Sequence, residues 1–180
     1  MKRFLTILFV VAFTSSVYAG EFGWTISDSS TDPFSNTGTP SPAPVSIYLW
    51  FYCTNNLNGL ASAEFDICTT NTQFGFTPMN NFLNPGTALA LLLANPTCPW
   101  GPVVAGVWTF FDAAGLNICP CPSALNGLNV SVSCVELVAY ENDYIGYASD
   151  GSVPCTNVLL LCYANPIEST SWGSVKSLYR

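Results

Sequence analysis

The sequence predicts an all-β fold: an antiparallel β-sandwich, cohesin-like or jelly-roll-like, stabilised by disulfides. Three observations lead there. Several runs alternate strictly between two faces, the period-2 signature of a strand. Turn-forming Gly, Pro, Asn and Asp punctuate the gaps between those runs. Eight cysteines lie beyond an export signal, an even count that reads as a disulfide framework. A barrel is the alternative closure.

The elements follow in chain order. Lys2 and Arg3 precede an apolar run, Phe4 to Phe13, and then Thr14-Ser-Ser-Val-Tyr-Ala19. That is a secretory signal peptide over 1–19, cut after Ala19, and its apolar run is too short to cross a bilayer. Residues 20–44 include "SDSSTDPFSNTGTPSPAP" and predict an extended linker. The β domain spans 45–163, and 164–180 form a tail without cysteine.

Within the domain, "VSIYLWFYC" (45–53) sets Val45, Ile47, Leu49, Phe51 and Cys53 on one face. The other face carries Ser46, Tyr48, Trp50 and Tyr52. "LASAEFDIC" (60–68) alternates again, with Ala61, Ala63, Phe65 and Ile67 opposite Leu60, Ser62, Glu64, Asp66 and Cys68. "TALALLLA" (87–94) predicts a buried strand or short core helix. Further strands are expected over 103–112, 128–140, 144–148 and 157–163.

Charge excludes whole classes of partner. After the signal, eleven carboxylates face only Lys176 and Arg180, a side-chain balance of −9. Nucleic acid and anionic surfaces need lysine and arginine to displace counterions, so neither is an expected partner. No later apolar run reaches membrane-spanning length.

Catalytic chemistry lacks its ingredients. The chain has no histidine, so no Ser-His-Asp or Cys-His arrangement exists. Glu64 with Asp66, or Glu141 with Asp143, are the carboxylate pairs available for acid–base work, but alternating carboxylates on a strand are ordinarily a solvated face. No catalytic residue, cofactor or metal is therefore expected. "ENDYIGYASDGS" (141–152) has oxygens for calcium without the spacing of a calcium loop, and reads as turn chemistry.

The cysteines are 53, 68, 98, 119, 121, 134, 155 and 162. "CPCP" (119–122) raises zinc, but its spacing is Cys-x-Cys, and export favours oxidation. Cys119 and Cys121, separated only by Pro120, should go to different partners.

Two surfaces are candidate recognition sites. Tyr48, Trp50 and Tyr52 share one strand face, either as an exposed platform for sugar rings or a protein partner, or packed against neighbouring strands or under 20–44. In the tail, Trp172, Val175, Leu178 and Tyr179 share a helical face, and Lys176 and Arg180 lie near its end. The tail either docks on a partner or pairs its cations with the acidic domain. The expected role is a non-enzymatic structural or protein-interaction module, secreted or at the cell surface, with an extracellular protein partner. A carbohydrate-binding module for neutral polysaccharide is the alternative.

"PVSIYLWFYCTNNLNGLASAEFDI" resembles the early hairpin of cohesin-like and related carbohydrate-binding-like sandwiches. "VVAGVWTFFDAAG" and "LNVSVSCVELVAYENDYIGYASDG" resemble later strands of that order, so the likeness spans 44–163. It implies the sandwich fold, and its strand order implies a Cys68–Cys98 bond. Cohesins are not normally built on four disulfides, and no dockerin-binding face is identifiable. The ending Trp-Gly-x-x-Lys-x-Leu-Tyr-Arg resembles the C-terminal tails of uncharacterised bacterial exported proteins.

Overall fold

The computed structural model describes residues 19–54, 59–135, 137 and 139–157. Residues 1–18 of the expected signal, the strand expected at 157–163 (apart from Asn157), the tail and Cys162 lie outside them. So does the side chain of Cys53.

Among the described residues the chain is all-β, ten strands without a helix. They are β1 (Ala19–Ser27), β2 (Pro44–Thr54), β3 (Leu60–Cys68), β4 (Gln73–Pro78) and β5 (Ala90–Ala94). Then follow β6 (Val103–Phe111), β7 (Asn117–Cys121), β8 (Val130–Ser133), β9 (Ala139–Ile145) and β10 (Tyr147–Ala148). They make one open mixed sheet in the order β10-β7-β3-β8-β9-β1-β2-β6-β4, with β5 on the remaining edge of β3.

Two expectations are corrected at β1. Residues 19–27 are not linker but a strand inside the sheet, between β9 and β2. The reason is its own alternation: Phe22, Trp24 and Ile26 are completely buried. The sheet is consequently not wholly antiparallel, because β1 runs parallel to β9 while pairing antiparallel with β2. Residues 28–43 are ordered too. Asn36 Nδ2 donates to the Ile26 carbonyl at 2.6 Å, and Ser27 Oγ donates to the Asp32 carbonyl at 2.6 Å.

The strands read from alternation are present. In β2, Ile47, Leu49 and Phe51 are fully buried. In β3 the buried face is Ala63, Phe65 and Ile67, and an irregularity between Leu60 and Ser62 turns Leu60 inward as well. The run 87–94 resolves as strand β5 rather than helix. The run 128–140 is broken between β8 and β9, and β9 continues to Ile145.

The sheet folds over on itself. Trp108 of β6 donates from Nε1 to the carbonyl of Ala88, just before β5, at 2.6 Å. Along a flat sheet β6 and β5 would lie about 29 Å apart, six strand spacings of ~4.8 Å. The β4–β5 connection ties the two ends together. Met79 N donates to Ala105 O at 2.9 Å, and Leu83 and Ala94 exchange bonds of 2.8 and 3.0 Å.

Trp24 sits at the centre of this enclosure. Its ring centroid lies 5.3 Å from Phe51, 5.2 Å from Phe65 and 6.4 Å from Phe82. Its Nε1 donates to Ser131 Oγ at 3.1 Å and Asn142 Oδ1 at 3.3 Å, so one indole joins β1 to β8 and β9.

Three disulfides connect the described residues: Cys68–Cys121, Cys98–Cys134 and Cys119–Cys155. Cys119 and Cys121 do take different partners. The Cys68–Cys98 bond is overturned, because β3 ends beside β7 and so places Cys68 within reach of Cys121. Cys98 instead faces the end of β8, where Cys134 N donates to the Gly59 carbonyl.

Two outcomes are expected. Alkylated, unreduced protein should carry no labelled thiol by intact mass; two labels would mean that Cys53 and Cys162 stay reduced. Trp24→Phe should lower stability in urea unfolding by about 2–4 kcal/mol, since it shrinks a packed ring and leaves two buried acceptors without their donor. A loss under about 1 kcal/mol would show that the indole N–H is dispensable.

Candidate functional site

The sheet's geometry brings together residues far apart in sequence. Strands β1 and β6 both flank β2, and both run antiparallel to it. They therefore end on the same side of the molecule, where β2 begins. Asp28 follows the last residue of β1, and Asp112 follows the last residue of β6. Both stand at the end of the same local pattern: Trp24-Thr-Ile-Ser-Asp28 and Trp108-Thr-Phe-Phe-Asp112. In each, a buried indole anchors the strand and a carboxylate stands four residues on, where the strand stops.

These two carboxylates line a cleft of about 660 Å³ together with Thr37, Thr39, Val45, Ser46, Tyr48 and Tyr147. The 28–43 segment forms one wall, held to β10 by backbone bonds. Gly38 N donates to Ala148 O at 3.0 Å, and Ala148 N donates to Asn36 O at 3.0 Å. Gly38 presses against the Tyr147 hydroxyl so closely that any side chain there would collide with it.

Asp112 is 1% exposed. Its Oδ1 accepts from Ser149 Oγ at 2.8 Å, and Ser149 Oγ in turn accepts from Leu116 N at 2.7 Å. Its Oδ2 is buried with no hydrogen-bond partner among the described residues. A buried carboxylate oxygen without a donor is costly, and such atoms are rare in folded proteins. Asp28 is exposed at the mouth and accepts from the Tyr147 hydroxyl at 3.5 Å. The Tyr147 phenol is pushed up to about 12, first by burial and then by the charges of Asp28 and Asp112. At neutral pH it is a neutral donor to Asp28.

Among the described residues no cation balances them. The sequence has no lysine, arginine or histidine between Arg3 and Lys176, so none occurs in residues 19–157. The cleft is a focused negative site with hydroxyl donors and one aromatic wall.

The other expected site residues are placed as follows. Of the aromatic row, Tyr48 lines the cleft and is half-buried. Trp50 is only 7% exposed, its Nε1 donating to the Ser29 carbonyl at 3.1 Å. Tyr52 is half-buried under Phe34, ring centroids 4.6 Å apart. The three do not present one open platform, because the 28–43 segment folds across two of them.

Glu64 and Asp66 are spent on a loop. Glu64 accepts from Asn126 Nδ2 at 2.8 Å, and Asp66 accepts from Ala124 N at 2.8 Å. They border a second, apolar pocket with Leu91, Leu92 and Leu125. Glu141 and Asp143 lie in β9, Glu141 exposed and Asp143 9% exposed. Burial raises the Asp143 carboxyl above its ordinary value, and the neighbouring Glu141 charge raises it further. In 141–152, Asn142 is committed to Trp24 and Asp150 to Ser152. No cluster of three metal-ligating side chains occurs among the described residues.

Sequence reasoning singled out Tyr48 but missed Asp28, Asp112 and Tyr147. The repeated Trp-Thr-x-x-Asp ending was the available signal. Compared with protein families, curated proteins and solved structures, the chain matches none.

The Tyr147 proton gives a test. The folded value lies above the unfolded value of 10, so the stability Tyr147 contributes is intact below pH 10 and is lost as pH rises towards about 12. Asp28→Asn removes one nearby charge and one hydrogen bond to the neutral phenol. Its Tyr147 should ionise at lower pH than wild type by NMR titration of the ring carbons; an unchanged midpoint would remove Asp28 from the Tyr147 environment.

Proposed function

We propose that this chain is an exported, non-enzymatic interaction module that holds a cationic group of a protein partner in the Asp28–Asp112–Tyr147 cleft, on a folded-over sheet of the sandwich kind. The observation that carries the reading is Asp112: a deeply buried carboxylate with an unpartnered oxygen, beside a second carboxylate, in a stretch of chain devoid of cations. An entering ammonium or guanidinium meets Asp28 at the mouth, with the Asp112 charge behind it. It strengthens its interactions there because the cleft is partly shielded from water. The three disulfides suit an oxidising, extracellular setting. No described helix is long and apolar enough to cross a membrane.

A second reading, a carbohydrate-binding module, is favoured by one observation. Tyr48 shares the cleft with Thr37, Thr39 and Ser46, an aromatic face beside hydroxyls, which suits a neutral sugar ring.

Calorimetric titration separates the two. A short blocked peptide carrying one lysine and one arginine should bind weakly, lose affinity in added salt, and bind Asp28→Asn several-fold less well. A panel of neutral glucan, xylan and chitin oligosaccharides should show no heat of binding. Salt-insensitive binding of an oligosaccharide, lost in Tyr48→Ala, would replace the first reading by the second.

A further inference from the structure

We infer that the cleft is a receptor for the chain's own basic end, Lys176 to Arg180, bound in the same molecule. The inference rests on the reading of the cleft as a cation site and names its resident occupant. Three facts converge on it.

The first is charge. Beyond the signal, Lys176 and Arg180 are the only cationic side chains in the sequence, and they lie four residues apart. The cleft offers two carboxylates, Asp28 exposed at its mouth and Asp112 buried. No other lysine, arginine or histidine follows Arg3 in the sequence.

The second is where the chain leaves the described fold. Thr156 bridges Ile145, and Gly146 N donates to the Cys155 carbonyl at 2.8 Å. Asn157 Nδ2 donates to Asn142 O at 2.9 Å, and its Oδ1 accepts from Tyr144 N at 2.7 Å. Cys155 is bonded to Cys119, which follows Ile118, the β7 partner of Tyr147. The exit is therefore fastened beside the strand that supplies the cleft with Tyr147.

The third is reach. Lys176 lies nineteen residues beyond Asn157. An extended chain of that length covers about 60 Å, and the fourteen residues from Cys162 to Lys176, the free tether once Cys162 is bonded to Cys53, cover about 46 Å, against a radius of gyration of about 14 Å for a domain of this size. The span is ample, and tethering supplies an effective concentration of order millimolar. A lysine or arginine contact that is only weakly populated between separate molecules is mostly formed under those conditions. Val45 and Tyr48 give the cleft an apolar and aromatic side that suits the Leu178 and Tyr179 flanks. An outside cation then enters only by displacing this segment.

The test compares the full-length exported protein with its Lys176→Gln/Arg180→Gln variant, using the same blocked lysine–arginine peptide as probe. With a tether near millimolar and an intrinsic Kd near 0.1 mM, the tail depresses probe affinity about tenfold. The variant should therefore bind the probe about tenfold more tightly than the parent. Added salt should shrink that difference. The difference should be the same at low and high protein concentration. Equal probe affinity in both proteins, each still weakened by Asp28→Asn, would overturn the inference while leaving the cation cleft standing. A difference seen only at high protein concentration would overturn it by placing the tail in a second copy. No probe binding to either protein would overturn both readings. Matching thermal midpoints for parent and variant would show that the substitutions act on the cleft and not on folding.

Discussion

One indole N–H holds the enclosure together. Trp24 lies on β1, the strand that joins β2 to β9, and it donates across the interior to Ser131 and Asn142 on β8 and β9. Asn142 extends the chain of bonds to Asn129 Oδ1 at 2.8 Å. A buried polar network of this kind is stabilising only when its members are satisfied, and it fixes register as well as proximity. Phe51, Phe65 and Phe82 then pack around the same ring from three other parts of the chain. Without β1 the sheet would have a gap between β9 and β2, and the core would lack its central side chain.

The cleft is a by-product of that arrangement. A strand inserted antiparallel to β2 on one side, matching β6 on the other, leaves two strand ends side by side. Each end carries an aspartate, and the segment after β1 folds back over the gap. The position of the negative charge follows from topology, and its strength from composition, since the domain contains no cation to offset it. The Tyr147 hydroxyl reaches Asp28 in the cleft because β10 pairs with both β7 and the 36–38 segment.

Alternation made β2 and β3 legible from sequence, because each buries one face and the period is unambiguous. It equally marked β1, where Phe22, Trp24 and Ile26 alternate. That signal was masked by the Ser- and Pro-rich residues after it, whose composition resembles a linker. Those residues are ordered through local side-chain bonds, such as Asp32 Oδ1 accepting from Phe34 N at 2.8 Å, which composition cannot distinguish from mobility. Strand β7 was obscured by Pro120, which drew attention to cysteine chemistry and away from pairing. The site was least legible. Tyr48 was noticed for its ring, whereas Asp28 and Asp112 lie 84 positions apart and meet only through the strand order.

The missing cations have one more consequence, for the survival of the protein among proteases. From Gly20 to Val175 no peptide bond follows a lysine or an arginine. A trypsin-like protease thus finds no cleavable bond in the domain whether it is folded, partly open or fully unfolded. Its resistance to that class of enzyme is covalent, written into composition, and survives conditions that would strip away any protection conferred by packing. Between Phe4 and Arg180 the one bond open to such attack follows Lys176, so cleavage there would leave the stretch from Gly20 to Lys176 intact.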